Sequence, residues 1–432
     1  MNCQMWKSCA RVICRSRGQR PNLLRRRRRD RQAPSSVRTS VAGEHRLPAC
    51  PFRQPAEKFI ERSLCRSAAA CWESSASCQG QQIASLRSPD TKRARWLAVL
   101  FLLITISASA LAEIRPSDCA RAARYSESER GVSMLVMQNS RTIFEHYANG
   151  GSARDRWPIF SGTKSFWGIA ALAAVNDRLF KLDDPVSDTI TEWKSDPRKS
   201  QITIRQLLNQ TDGIEGASRL QRASIRDRIA VAIRLTSFAA GSAFIYGPSH
   251  LQIFSELLRR KLNGRATTRY IEARVLNRLG LRRLNYKQDA KGNPLPATGF
   301  ELTAREWARL GELVLGRGNY HGRQIVPANL LREAFTGSQA NPSYGLTFWL
   351  NQQSRKLSGE ADMERMLDLP WQNAQWTNVC ICKDAPADMV VALGSGYQRL
   401  FVIPLLKAII VRQGSNARFS DAHFLRLLLG RD

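Results

Sequence analysis

The stretch "IFSGTKSFWGIAALAAV", from Ile159 to Val175, places a serine and a lysine three residues apart at the start of an apolar run. An apolar run of this length predicts a buried helix. Positions i and i+3 of a helix share a face, with Cβ atoms about 5–6 Å apart. We therefore expect Ser161 and Lys164 to be in contact in the first turn of a helix that extends to Arg178.

The serine and the lysine are chemically matched at this position. The free N–H groups of a first helical turn, and the positive end of the helix, favour negative charge that develops at Ser161. Lys164 is followed by Phe166, Trp167 and Ile169, and burial among such residues lowers the pKa of a lysine. A neutral lysine beside a hydroxyl is a general base that activates a nucleophile. The structural alternative is a serine cap and a lysine whose ammonium group reaches solvent.

Strand-like and helical patterns divide the rest of the chain into three parts. β-rich runs at 131–138 and 142–147 predict an N-terminal hairpin. Helical patterns then follow, at 161–178, 203–210, 248–262, 268–279 and 303–315. Strand-like runs return late, at 389–393, 399–404 and 408–413, before a last helix at 421–430. Strands at both ends predict an α+β fold in which the hairpin joins a C-terminal antiparallel meander and helices cover the sheet.

Several motifs follow one another in a fixed order. The segment "FSGTKSFWGIAALAAVNDRLFKLDDPVSDTI" begins at Phe160, and "ITIRQLLNQTDGI" begins at Ile202. Together they resemble the serine β-lactamase and penicillin-binding-protein superfamily, in particular its class C-related branch of esterases, D-aminopeptidases and 6-aminohexanoate-dimer hydrolase. The resemblance covers about Gly131 to Gln413. It implies a β-lactamase-like fold, with an antiparallel sheet of N- and C-terminal strands and a helical region inserted between them.

The second motif of that branch is a tyrosine, and Tyr246, followed by Gly247 and Pro248, takes its place. The resemblance implies that Tyr246 accepts the Ser161 proton and returns it to the leaving group. A charged Lys164 would lower the pKa of Tyr246, so the two should titrate as one coupled unit. Class C β-lactamases have an asparagine where this chain has Pro248, which removes a contact to the β-lactam side-chain amide.

The third motif is K-T-G, and the triplet from Ala392 to Gly394 takes its place. The resemblance implies that the backbone N–H groups of Ser161 and Ser395 form an oxyanion hole. It also assigns Ala392, Gly394 and Gly396 to the substrate-binding site, where glycines let the backbone approach the substrate closely. The absent lysine removes the cation that would pair with the carboxylate of penicillins.

These residues predict a serine hydrolase that acts on an ester or small amide through an acyl-enzyme on Ser161. The missing asparagine and lysine favour this over an efficient β-lactamase. Two alternatives stay open: a D-Ala-D-Ala-type peptidase or weak β-lactamase, and a catalytically silent module that binds cell-wall peptides or a partner. The sequence contains no G-x-S-x-G elbow, no H-E-x-x-H and no P-loop motif. We expect no cofactor, and a small-molecule ester, amide or peptide as the substrate.

The N-terminal region has a different composition. Residues 1–95 hold 21 Lys or Arg against 6 Asp or Glu, which is half of the chain's net charge of +30. Such a basic arm could bind nucleic acid, but the adjoining residues favour another interpretation. Three basic residues from Lys92 to Arg95, an apolar run to Ile106 and the triplet at 110–112 match the three parts of a secretory signal peptide.

We therefore divide the chain into three segments. Residues 1–91 are a basic, Cys- and Arg-rich extension, either disordered or upstream of the true translation start. Residues 92–112 are the signal peptide, and residues 113–432 are the hydrolase domain. We expect a secreted or periplasmic protein with no nucleic-acid partner and no stable membrane anchor once the signal is cleaved. The alternative is an uncleaved anchor, for which the apolar run barely reaches the minimum of about 17 residues.

The hydrolase domain keeps three cysteines, Cys119, Cys380 and Cys382. An oxidising compartment permits a disulfide from Cys119 to either of the other two. The five histidines of the chain are scattered, and none has ligand spacing to the cysteines. The sequence therefore predicts no metal site.

Overall fold

The computed structural model describes residues 113–282, 284–351, 359–366, 379–415 and 417–432. The basic extension and the signal peptide predicted for residues 1–112 lie outside the described residues. No helix among the described residues has both the length and the apolar character that a membrane span requires.

Helices dominate the middle of the described chain, and the longer strands lie near its two ends. The α-helices are α1 Pro116–Ser128, α2 Thr163–Asn176, α3 Ile204–Leu208, α4 Arg228–Ile233, α5 Ser249–Lys261, α6 Thr267–Ile271, α7 Ala304–Leu315, α8 Ala328–Glu333, α9 Met363–Met366 and α10 Asp421–Leu429. The strands are β1 Gly131–Gln138, β2 Arg141–Tyr147, β3 Trp157–Pro158, β4 Glu301–Leu302, β5 Asn319–Tyr320, β6 Arg323–Gln324, β7 Trp349–Leu350, β8 Gly359–Glu360, β9 Val379–Cys380, β10 Val390–Gly394, β11 Gln398–Ile403 and β12 Ala408–Gly414.

Within the described residues, the main sheet has six strands in the order β2-β1-β12-β11-β10-β7. Each neighbouring pair is antiparallel. The N-terminal hairpin joins the C-terminal meander where β1 pairs with β12, with Val136 opposite Ile410. The predicted α+β fold, with a sheet built from both ends of the chain, is confirmed. Strand β7, which extends the sheet beyond β10, was not predicted.

The sheet separates two apolar layers because successive side chains of a strand point to opposite faces. Ala392 and Leu400 face the layer that contains α2. Leu393 and Phe401 face the layer that contains residues of α1 and α10. Helix α2 is buried at every residue from Thr163 to Ala174, as expected for a helix that is apolar all round. The stretch with the serine and lysine therefore runs through the core beneath one face of the sheet.

Helix α1 was not predicted. Its buried residues are small or polar, namely Asp118, Cys119, Ala122, Ala123 and Ser126. They give little apolar periodicity, although Pro116 at the first helical position is a start signal. The helix predicted for 268–279 is α6, which continues as a π-helix over Glu272–Leu276.

The three cysteines of the domain are buried free thiols, so the disulfide that the sequence permitted is not formed. Cys119 and Cys382 pack in the apolar layer between the sheet and helices α1 and α10. Burial raises the pKa of the Cys119 thiol to about 11 and that of Cys380 to about 11. In these surroundings a cysteine behaves as a small apolar side chain.

Candidate active site

Ser161 lies in a tight turn rather than in the α-helix itself. Residues Phe160–Gly162 form a single 3₁₀ turn that leads into α2. Phe160 has φ = 45°, a left-handed conformation that is uncommon for a residue with a side chain and that marks local strain. The turn is fixed at its start by the Ile159 N–H, which donates to the carbonyl oxygen of Phe300 at 3.0 Å. Phe160 is 38 % exposed, so the turn reaches the surface beside Ser161.

Lys164 reaches Ser161 as the spacing predicts. Its Nζ lies 2.8 Å from Ser161 Oγ and 3.3 Å from the carbonyl oxygen of Ala297. The residue is 1 % exposed, and burial alone lowers the pKa of Lys164 to about 7. Near neutral pH, a large fraction of the lysine is therefore an uncharged amine held against the serine hydroxyl.

Tyr246 completes the cluster. The Lys164 Nζ lies 4.4 Å from the centroid of its ring, and the tyrosine hydroxyl lies close enough to the side chains of Ser161 and Trp349 for both to lower its pKa. Part of the residue is accessible to solvent, but the hydroxyl is enclosed, and burial raises the pKa of Tyr246 to about 12. The pKa is raised because the cost of burying a phenolate outweighs the neighbouring groups that lower it, and the expected effect of a charged Lys164 stays a prediction.

The backbone on both sides of Tyr246 is held by Gln210. The Ile245 N–H donates to the Gln210 carbonyl oxygen at 3.0 Å, and the Gly247 N–H donates to Gln210 Oε1 at 2.9 Å. Gln210 Nε2 in turn donates to the Tyr344 hydroxyl at 2.9 Å. Gln210 is fully buried, so these three bonds fix the loop that carries Tyr246 against the core.

Aromatic side chains hold the ring itself. Tyr344 meets Tyr246 edge to face with 6.0 Å between centroids, and the Trp349 ring lies 5.7 Å away. Sequence reasoning assigned no role to Gln210, Tyr344 or Trp349. The available signals were the place of Gln210 between the "ITIRQLL" and "TDG" motifs, and the aromatic density of "YGLTFWL" at 344–350.

The end of β10 lies directly against the serine turn. A Cβ atom at Gly394 would lie 2.0 Å from the carbonyl oxygen of Ile159, so only glycine permits this approach. Ser395 and Gly396 follow in the partly exposed turn between β10 and β11. Within the part of the chain that the structure describes, no hydrogen bond uses the Ser395 N–H. Its position beside the Ser161 turn is compatible with a role in an oxyanion hole.

Ala392 differs from the other predicted substrate-binding residues. It is 1 % exposed and belongs to the apolar layer around α2, whereas Gly396 is partly exposed. The structure thus brings Ser161, Lys164 and Tyr246 into one cluster, with the turn after β10 beside it. The roles assigned to these residues, and the binding role of Ala392, stay predictions.

One group of side chains has the composition of a metal site. Ligand atoms of Glu360, Cys382 and Asp384 lie within 4.8 Å of one another. Arg426, however, donates to Glu360 at 2.5 Å and to Asp384 at 2.6 Å. The positive charge that these carboxylates require is therefore supplied by an arginine.

Comparison with known proteins decides the family. Residues 117–403 match the beta-lactamase family, a range that contains the serine turn, α2, Tyr246 and the strands β10 and β11. The chain belongs to the beta-lactamase family. The matched range has the α+β fold described above.

Individual members of the family are only distantly similar. Protein flp of Staphylococcus aureus strain MRSA252 is 25 % identical over 191 residues, which are 40 % of this chain and 38 % of the relative. EstCE1, a hydrolase with promiscuous acyltransferase activity, superposes with a TM-score of 0.54 and 16 % identity over 73 % of this chain and 98 % of its own. The octameric penicillin-binding protein homologue from Pyrococcus abyssi gives a TM-score of 0.52 and 17 % identity over 73 % and 76 % of the two chains. These identities establish the fold alone.

Proposed function

We propose that this protein is an exported hydrolase of the class C-related branch that cleaves a small ester or amide through an acyl-enzyme on Ser161. The observation that carries the proposal is the contact of 2.8 Å between Ser161 Oγ and Lys164 Nζ, with Lys164 buried and its pKa lowered to about 7. A poised amine within hydrogen-bond reach of a hydroxyl is the arrangement that activates a serine nucleophile.

The proton movements follow from the two pKa values. In the proposed reaction, neutral Lys164 accepts the proton as Ser161 Oγ attacks the carbonyl carbon. The N–H groups of Ser161 and Ser395 receive the negative oxygen. Tyr246 is protonated at neutral pH because its pKa is about 12. It therefore gives its proton to the leaving group and takes one from Lys164. Water then attacks the acyl group by the reverse sequence and frees Ser161.

The charges near the turn after β10 support neutral substrates over penicillins. Ala392 offers no cation, and Pro248 offers no side-chain amide. The carboxylate of Glu364 receives hydrogen bonds from Gly396 and Tyr397 in this turn, and its charge raises the pKa of Tyr246. Because Arg399 pairs with Glu364, the charge of this carboxylate is balanced in part, and the preference for an uncharged ester rests on the cation that position 392 lacks.

Export is proposed from the sequence between Lys92 and Ala112, which has the three parts of a signal peptide. N-terminal sequencing of the protein purified from its host tests it. A first residue at Glu113 supports cleavage, and a first residue upstream of Lys92 contradicts it.

A fluorophosphonate probe tests the catalytic proposal. We expect it to label the wild-type protein and to leave Ser161→Ala unlabelled. The wild type should also hydrolyse p-nitrophenyl acetate with a higher kcat/KM than nitrocefin. Labelling of both proteins would place the nucleophile elsewhere, and labelling of neither would favour a silent binding module. Preference for nitrocefin, or for a D-Ala-D-Ala peptide, would contradict the esterase assignment while leaving Ser161 as the nucleophile.

A further inference from the structure

The turn between β10 and β11 is held by charged side chains on more than one side. Glu364, in α9, accepts hydrogen bonds from the Gly396 N–H at 2.6 Å and from the Tyr397 N–H at 2.9 Å. A carboxylate that accepts two neighbouring backbone amides fixes the orientation of the peptide units that carry them, since charge-assisted bonds of this kind are short and strong.

Two arginines hold the carbonyl groups of the same segment. Arg399 donates to the carbonyl oxygens of Gly394 at 3.0 Å and Gln398 at 3.1 Å. Arg412 donates to those of Gly396 at 3.3 Å and Tyr397 at 2.9 Å. Glu364, Arg399 and Arg412, which we call the turn clamp, thus bind the backbone on both sides of Ser395 and leave its N–H unused.

The turn clamp places charged side chains in the protein interior. Arg399 and Arg412 are both fully buried, and they lie directly opposite each other on β11 and β12, where like charges destabilise a sheet. Asp421 accepts from Arg399 at 2.8 Å, and Glu364 accepts from it at 3.3 Å. Buried ion pairs of this kind rarely add net stability compared with apolar residues. A role in shaping the turn accounts for their presence in two strands that are otherwise mostly apolar.

We propose that Glu364, Arg399 and Arg412 are positioning residues that hold the turn so that the Ser395 N–H points to the carbonyl oxygen of a substrate bound at Ser161. The inference rests on the proposed function. A hydrogen-bond donor stabilises an oxyanion only when it is already in place as the charge develops. Small displacements of catalytic groups therefore lower the reaction rate strongly.

Two substitutions of Glu364 separate geometry from charge. Glu364→Gln keeps the length but removes the charge and places a donor against one of the two amides. Glu364→Asp keeps the charge but is one methylene too short to reach both amides. If the clamp positions Ser395, both variants should lower kcat for p-nitrophenyl acetate about 10- to 100-fold, part of the ~10²–10³-fold that loss of a whole oxyanion donor costs. KM should change by less than about twofold, because the donor acts in the transition state.

The affinity of an inhibitor that occupies the oxyanion hole gives a second measurement. An aryl trifluoromethyl ketone forms a tetrahedral adduct with the serine, whose oxyanion occupies the hole. Its affinity should fall by the same factor as kcat in both variants. Glu360→Gln is the matched control, because Glu360 likewise accepts from a backbone N–H, that of Lys383, and from an arginine, Arg426, but does not bind the turn. It should leave kcat and inhibitor affinity unchanged.

The outcomes are distinguishable from failure of the proposed function. An inactive wild type that no serine probe labels would overturn the proposed function itself. An active wild type would overturn the clamp alone if folded Glu364→Asp kept full kcat and full inhibitor affinity, since the carboxylate would then act through its charge. Arg399→Lys, which retains the charge but loses the guanidinium group that binds the carbonyl groups and Asp421 together, gives an independent check. Full activity in that variant, with an unchanged melting temperature, would also overturn the inference.

Discussion

Replacing Lys164 by methionine should abolish turnover and at the same time stabilise the fold at neutral pH. Burial lowers the pKa of Lys164 from 10.5 to about 7, so between these pH values the unfolded chain binds more protons than the folded protein. The stability contributed by this group therefore rises with pH from about 7 to about 10.5, and below pH 7 the folded state carries the full cost of a buried charge. One pKa unit corresponds to 1.36 kcal/mol, which makes this cost ~4–5 kcal/mol at most.

Methionine is unbranched and of similar length, so it fills the same space without a charge. The measurement is the free energy of urea unfolding of wild type and Lys164→Met at pH 7, 8 and 9. Groups common to both proteins cancel in the difference. The advantage of the variant should shrink by ~2 kcal/mol between pH 7 and pH 9, close to the limiting slope of about 1.4 kcal/mol per pH unit.

Ser161→Ala is the control for this experiment, because it is expected to be inactive but retains Lys164. Its unfolding free energy should follow the pH dependence of the wild type. A difference between wild type and Lys164→Met that does not change with pH would refute the argument. It would mean that the lysine is charged, or solvated, in the folded protein throughout this range.

Further predictions concern activity. For the wild type, kcat/KM on p-nitrophenyl acetate should rise through pH 7 as Lys164 loses its proton. It should then stay high up to about pH 9. A rise centred near pH 5 would instead indicate a carboxylate base. Tyr246→Phe should lower kcat ~10²–10⁴-fold and leave the acidic limb of the pH profile in place; a shifted limb would assign the proton acceptor to Tyr246. Ser161→Ala should lose all turnover at a stability cost of about 1 kcal/mol, the usual net contribution of one hydrogen bond. Urea unfolding measures this cost, and a large loss of stability would indicate a structural role. Gln210→Leu should lower kcat more than Tyr344→Phe, because Tyr344→Phe removes only the bond between Tyr344 and Gln210. Equal effects in steady-state kinetics would argue against Gln210 as the support of the Tyr246 loop.

The parts of the fold that were predictable depend on short-range patterns. The β-rich runs near the two ends of the domain and the apolar run of α2 were predicted from neighbouring residues. Thr303 and Glu306 form a capping box at the start of α7, where the sequence predicted a helix from residue 303. The contact between Ser161 and Lys164 was predictable for the same reason, since a separation of three residues in the first helical turns leaves few other geometries.

The support of the site could not be predicted because it depends on residues that are distant in sequence. Gln210 reaches Tyr344 across 134 positions, and Glu364 reaches the turn from 32 positions away. The local sequence marks Gln210 only by its place between two motifs, and it does not mark Glu364. The arginines of β11 and β12 did carry a signal, because a charged residue within a buried apolar strand requires an explanation. That signal indicates buried partners but does not identify them, since the partners lie on other elements.

The pKa of Tyr246 could not be predicted from its interaction with Lys164 alone. The sequence led to a neutral lysine as the base, the resemblance implied a tyrosine that accepts the proton, and a charged Lys164 would have lowered the pKa of that tyrosine. In the structure both groups are buried together, and burial disfavours the charged form of each. The pKa of Lys164 is thus lowered to about 7 while that of Tyr246 is raised to about 12. One desolvated pocket therefore supplies a neutral amine that can accept a proton and a neutral phenol that can donate one, which are the two groups that the proposed acyl transfer uses.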